Sequence, residues 1–309
     1  MLPEWRSIEP YISYGCLILL LIFPAIYGIP LIGFLVQIGA VFSAIYFSFR
    51  RMDLHLAVGV IGSLAMGSFI FGFSLLLLSV WASVVIPGAA LGRFLTAGVT
   101  PSRAFAVTIL FSVAVWLVVY WIEKDVIAMA LTKMNEAAVL FAGDLGFSEN
   151  IKDNLIDNLN KMTVIMRRLF PAFMALSGVV QLFIGWAAVV LLIRAFGEFF
   201  PSFIRFYFWK MPAYCFYLTG AFILARLAGT EIIKAAADNA LFFMGFFFAV
   251  FGFSVIDYFL RKIKLTFFLR LLFYICFAFL QLPGLFLAAA IGFFDSYFDF
   301  RRVRARIIG

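Results

Sequence analysis

Few groups in this chain could do chemistry, and nearly all of them interrupt runs that are otherwise uncharged. Gln37, Gln181 and Gln281 are amides set inside apolar stretches. Arg226, Glu231, Lys234, Asp238 and Asn239 cluster between two such stretches. Asp257 and Arg261 stand four apart at the end of another, and Asp295, Asp299 and Arg302 close the last. Polar groups in lipid are costly, so by default they serve ligand binding, ion pathways or helix pairing. For Arg226, Asp238 and Asn239, with Gln37 and Gln181, one reading is a polar lining for a small molecule entering from the outer face. The other is structural: the arginine snorkels to the headgroups, and the glutamines join helices at about 0.6 kcal/mol each. Asp257, Arg261, Asp295, Asp299 and Arg302 read as a charge network at the cytoplasmic interface. In it Asp257 pairs with Arg261 one turn away, and Asp295 and Asp299 share one helical face.

Catalytic patterns are absent from this set. His55 is the only histidine, which leaves no two-histidine relay and no His-rich metal site. No GxSxG, HExxH or P-loop spacing occurs. Cys16, Cys215 and Cys276 are odd in number, lack CxxC spacing and sit in or beside apolar runs, as small core residues do. The expectation is a protein without catalytic residues, metal or cofactor. Active transport would then draw on an ion gradient or on a separate ATPase partner.

The elements that position these groups follow from the apolar runs. No charge occurs from Tyr11 to Phe49, after which come Arg50 and Arg51; none occurs from Leu56 to Gly92, after which comes Arg93. Each run is too long for one crossing of about 20 residues and fits two. Basic residues at both ends make each a hairpin returning to the cytoplasmic face. Hydrophobic residues make up 65% of the chain and charged ones 13%, against about 45–50% and about 25% in soluble domains, so lipid must be the solvent for much of the surface. The net charge of +8 is confined to short clusters between the runs, a positive-inside pattern that excludes a nucleic-acid footprint. The N-terminus carries Glu4, Arg6 and Glu9 in place of a basic signal region, so the first hairpin is expected to act as an uncleaved anchor.

Spans are expected at 11–28 and 30–49, joined at Gly28-Ile29-Pro30, then at 54–72, 74–92 and 104–122. Further spans are expected at 170–193, 212–228 and 235–259, with a cytoplasmic aromatic-basic stretch over 194–211. The last apolar run divides at Pro283-Gly284 into 266–282 and 284–299, which keeps both flanking basic clusters inside. Gly59, Ser63 and Gly67, and again Gly88 and Gly92, are spaced four apart for close helix packing. The segment 123–168 holds seven acids and six bases; Ile127, Leu131, Met134 and Ala138, then Ile151, Leu155, Leu159 and Met162, recur at helical spacing. It reads as two amphipathic helices, separated by Gly143 and Gly146, lying over the outer mouth of the bundle or along the outer lipid interface; the alternative is a plain connector between spans. The fold expected is therefore an all-α, polytopic transmembrane bundle of 8–10 spans. Both termini are cytoplasmic, 1–122 and 169–309 lie in the membrane, and 123–168 is an extracytoplasmic cap.

The terminal block Gly292-Phe293-Phe294-Asp295-Ser296-Tyr297-Phe298-Asp299-Phe300-Arg301 resembles the Gly-hydrophobic-hydrophobic-Asp-x-aromatic-hydrophobic-Asp-Phe-Arg ending of the YybS-like family of uncharacterised polytopic bacterial membrane proteins. Phe206-Tyr207-Phe208-Trp209-Lys210-Met211-Pro212 resembles that family's aromatic-basic-Pro entry to a span. Asp238-Asn239 precedes a helix that in relatives often carries Gln-Gly where this chain has Phe251-Gly252. The resemblance implies a multi-pass protein of the bacterial inner membrane. By fold analogy it also implies a likeness to the substrate-capture subunits of energy-coupling-factor transporters. The functional expectation is a small-molecule capture or transport component working with a membrane or ATPase partner. The alternative is a non-catalytic scaffold or assembly factor of the envelope.

Overall fold

Runs this apolar become helices because only a helix pairs all its backbone N–H and C=O groups within one segment. The computed structural model describes residues 3–26, 30–71, 75–144, 149–198, 200 and 205–301, and among these there are ten α-helices and no strand. The chain forms two compact units: Met1–Arg167 with Phe173–Ser202, and Arg168–Ala172 with Phe203–Gly309.

The first unit contains α1 (Pro3–Ile26), α2 (Pro30–Phe49), α3 (Asp53–Phe71), α4 (Leu75–Thr96), α5 (Pro101–Asp144) and most of α6 (Glu149–Ala195). The helices of the expected hairpins are present, while the turns at 27–29 and 72–74 lie outside the described residues. The small-residue spacing in α4 serves packing: a Cβ on Gly88 would lie 3.0 Å from the Val41 carbonyl oxygen, and one on Gly92 only 2.6 Å from that of Ile45. The basic ends gather. Arg50 pairs with Glu198 at 2.9 Å and approaches Glu9 at 3.8 Å, Arg93 pairs with Asp53, and Thr96 Oγ1 donates to the Phe49 carbonyl at 3.2 Å.

Over 123–168, where two amphipathic helices are expected, the chain forms two helical extensions of the flanking spans. Both segments are helical, but neither is separate. α5 continues the fifth span without interruption to Asp144, and α6 runs unbroken from Glu149 through the sixth. Nothing between Trp121 and Ala142 breaks a helix, since the stretch has no Gly or Pro and is rich in Ala, Met, Leu, Lys and Glu. At 1.5 Å per residue, α5 and α6 are about 66 and 70 Å long, roughly twice the hydrocarbon thickness. The two extensions run antiparallel. Asn135 Nδ2 donates to Asn160 Oδ1 at 2.8 Å, Thr163 Oγ1 donates to Asn135 Oδ1 at 3.0 Å, and Arg167 donates to Thr132 Oγ1 at 2.9 Å.

The second unit contains α7 (Tyr214–Ala228), α8 (Glu231–Lys262), α9 (Phe267–Phe279) and α10 (Gln281–Phe298), with a single 3-10 turn at Phe206–Phe208. α8 and α10 cross with their backbones touching: a Cβ on Gly252 would lie 1.8 Å from the Ala288 oxygen, and one on Gly292 2.0 Å from that of Phe248. The division in the last run is real but falls earlier than expected. The chain turns at Gln281 (φ 47°), and α9 and α10 are bent by 115°. Pro283 sits in the first turn of α10, where its missing N–H would have no helical partner anyway.

Ten helices match the upper expected number of segments, but length separates them. Among the described residues four are long and apolar enough to cross a bilayer alone: Asp53–Ile70, Pro101–Ala142, Asn150–Ala195 and Glu231–Lys262. The bent pair α9–α10 makes a fifth. Apolar stretches of α1, α2, α4 and α7 are shorter.

The Gly252 crossing yields a direct contrast within one helix. Gly252→Ala should destabilise the protein by about 1–3 kcal/mol through overpacking against a backbone that cannot yield. Gly245→Ala, where a Cβ meets nothing within 4 Å, should be neutral or mildly stabilising. Thermal unfolding in detergent measures both.

Candidate functional site

Pro171 lies inside α6, where it removes one helical N–H and crowds the preceding turn. The amide of Asn239, on α8, reaches into that turn. Its Oδ1 accepts the Ala172 N–H at 3.0 Å, and its Nδ2 donates to the Arg168 carbonyl at 2.8 Å. An uninterrupted helix would pair those two backbone groups with each other. Nδ2 also donates to the Ala235 carbonyl at 2.8 Å, which leaves no amide hydrogen for a ligand. Beside it, Asp238 takes one arginine on each oxygen, Arg226 Nε at 2.5 Å and Arg168 Nε at 2.7 Å. Arg226, Asp238 and Asn239 are therefore brought together, with Arg168 as the member that sequence reasoning assigned to the cap. They form a closed clamp on the Pro171 turn.

Gln37 and Gln181 belong to the first unit, where Gln181 Nε2 donates to Gln37 Oε1 at 2.5 Å, between α2 and α6. Gln181 is only 2% exposed, and the pair joins two helices. The five residues read as one ligand lining thus divide between the two units.

The expected charge network is partly present. Asp257, 4% exposed, pairs with Arg261 Nε at 2.8 Å, as the i,i+4 spacing implied, and with Arg270 at 3.4 Å. Asp295 and Asp299 do not share a helical face. Asp299 (φ 51°) leaves the helix in the left-handed region, and its carboxylate pairs with Lys210 at 2.9 Å. Arg302 lies outside the described residues. The partner of Asp295 is Arg301, at 2.8 Å.

Arg301 was missed, and it is among the largest fully buried side chains. Its Nη1 donates to the Tyr207 carbonyl at 2.8 Å and Ser254 Oγ at 2.7 Å; its Nη2 donates to the Trp209 carbonyl at 2.6 Å and to Asp295 Oδ2. Ser254 Oγ also lies 2.6 Å from the Phe206 carbonyl. The 3-10 turn exposes carbonyls with no helical donor, and a planar guanidinium with five N–H groups fits them. In the sequence Arg301 is one of four terminal arginines; the signals for it are the aspartate six residues earlier and its place at the end of the block Gly292–Arg301.

A hollow lies elsewhere in the second unit, against α8, α9 and α10. It has a volume of about 580 Å³ and is lined by Phe206, Val250, Phe253, Tyr274, Phe277, Gln281 and Leu285. That volume lies within the usual range of ligand pockets, about 300–1,000 Å³. The wall is almost wholly apolar, and the amide of Gln281 stands at the helix break. A smaller hollow of about 240 Å³ in the first unit is bounded by Glu9, Pro10, Ser13, Tyr14, Met52 and His55.

Long apolar helices, backbone gaps closed by buried side chains, and basic residues gathered at helix ends define a polytopic α-helical membrane protein. The family described as "Predicted membrane protein (DUF2232)" matches residues 16–296, and the chain belongs to it. No curated protein and no solved structure matches the chain.

Two substitutions test the clamps. Arg301→Gln should cost about 3–5 kcal/mol, because it leaves Asp295 as a buried unpaired charge. Adding Asp295→Asn should recover part of that loss. Asn239→Leu should cost about 1–3 kcal/mol by stranding the Ala172 N–H and the Arg168 carbonyl. Unfolding midpoints of purified protein in one detergent, with the double variant beside the singles, measure all three.

Proposed function

We propose that the chain is a capture component of the bacterial cytoplasmic membrane, working with a partner protein. The basic clusters between the apolar runs face the cytoplasm, and an amphiphilic small molecule enters the groove against α8, α9 and α10 from the bilayer. The observation that carries this reading is the groove itself: its apolar wall suits a ligand that partitions into lipid, and the 115° bend at Gln281 is what opens it. Arg226, Asp238 and Asn239 act in this account as positioning residues, because their polar atoms are engaged with one another and with the α6 backbone. The ligand's apolar part lies against Phe253, Phe277 and Leu285.

A scaffold role is favoured by a separate observation. The paired extensions of α5 and α6 carry exposed apolar side chains, among them Met134, Leu140, Phe141 and Val164, at 65–70% exposure. Surfaces of that kind on a soluble projection usually meet another protein.

Mild-detergent extracts analysed by mass spectrometry separate the two. The capture reading predicts an amphiphile that co-purifies with the wild type and is lost from Val250→Trp, whose indole would fill the groove. Equal retention by both proteins, or none by either, overturns it. Topology is tested independently. A reporter inserted near Gly146 should be extracytoplasmic and one fused after Gly309 cytoplasmic; the opposite result reverses the orientation.

A further inference from the structure

The groove has one charged end. Asp257 lies one helical turn beyond the lining residue Phe253 on α8, and Arg270 lies one turn before the lining residue Tyr274 on α9. Asp257 and Arg270 meet at 3.4 Å across the two helices. Arg261 holds the other oxygen of Asp257, and its guanidinium sits 4.7 Å above the ring of Tyr207, the neighbour of the lining residue Phe206. Two guanidiniums thus share one carboxylate, an excess of one positive charge. Exposed Lys262 and Lys264 follow directly in the chain. Arg270 Nε is buried and has no hydrogen-bond partner among the described residues. Arg261, at 47% side-chain exposure, can turn toward a headgroup without leaving Asp257 unpaired, because Arg270 remains beside it.

We infer that the groove takes an anionic amphiphile, a long apolar chain bearing a phosphate headgroup. The chain lies along Phe253, Phe277 and Leu285, and the phosphate meets Arg261 and Arg270. A zwitterionic or neutral headgroup leaves the surplus guanidinium uncompensated at the edge of a low-dielectric medium, which is costly. A phosphate neutralises it through charge-assisted, bidentate hydrogen bonds. The cytoplasmic leaflet, which the basic end of this unit faces in the orientation proposed, is also where anionic lipids lie. This inference rests on the capture reading, and its test separates the two.

The test is native mass spectrometry of the full chain in non-ionic detergent. The probes are phosphatidylglycerol and phosphatidylcholine with identical acyl chains, with glycerol phosphate as the chainless control. Wild type should retain phosphatidylglycerol about five- to tenfold better than phosphatidylcholine, a preference that shrinks with added salt, and should not retain glycerol phosphate. Arg270→Gln should abolish the preference while keeping both lipids, and Asp257→Asn should strengthen it. These opposite signs come from two partners whose purely structural loss would act in the same direction. Equal retention of the two lipids by wild type, or a preference indifferent to salt, overturns the anionic headgroup and leaves capture standing. Retention of glycerol phosphate overturns the role of the chain. If Val250→Trp retains both lipids like wild type, the groove is not the site and both readings fall. Where Arg270→Gln fails to fold, the salt series on wild type and the sign of the Asp257→Asn effect decide.

Discussion

In a bilayer, backbone polar groups have no water to turn to, so each gap in a helix must be closed by the protein itself. That constraint explains which side chains are buried here. Pro171 takes one N–H out of the ladder of α6, and the amide of Asn239 bonds the Ala172 N–H and the Arg168 carbonyl of that turn, as acceptor and donor at once. The Tyr207 and Trp209 carbonyls, in and just after the turn at Phe206–Phe208, take their donors from Arg301. Asp295 then keeps the buried guanidinium neutralised. Asn239, which reads as chemistry in the sequence, is a repair to the backbone, and the other candidate residues described pair chiefly with side chains.

The second unit also holds a groove with an apolar wall. α8 and α10 pack with their backbones in contact at Gly252 and Gly292, leaving no room between them for a ligand. α9 diverges from that pair because the chain reverses at Gln281. The groove lies against α8, α9 and α10, and Asp257 pairs with Arg261 and Arg270 one helical turn from its lining residues Phe253 and Tyr274. The first unit is built differently, from stacked hairpins whose basic ends are tied together and from the paired extensions of α5 and α6.

Features carried by local spacing were legible in the sequence. Asp257 and Arg261 are four apart and pair as expected, and the uncharged runs gave the helices and the hairpins. Gly88 and Gly92, four apart on α4, pack against the backbone of α2 as small residues at that spacing do. Features that depend on distant segments were not legible. Asn239 makes sense only beside Pro171, which lies 68 positions earlier. Arg301 looks like any member of a basic tail, and its burial depends on a turn nearly a hundred residues away. The continuity of α5 and α6 was hidden for another reason: a charged stretch at a membrane interface marks the end of the lipid, not the end of the helix.

The proposed activity turns on whether the hollow bounded by Phe253, Phe277 and Leu285 is a true receptacle or merely a furrow that bulk lipid covers. An experimental map of the protein in nanodiscs of native lipid decides this most directly. The account predicts elongated density along that wall, ending in a compact feature beside Arg261 and Arg270. An unoccupied or closed wall, with α9 packed flat against α8, would contradict it.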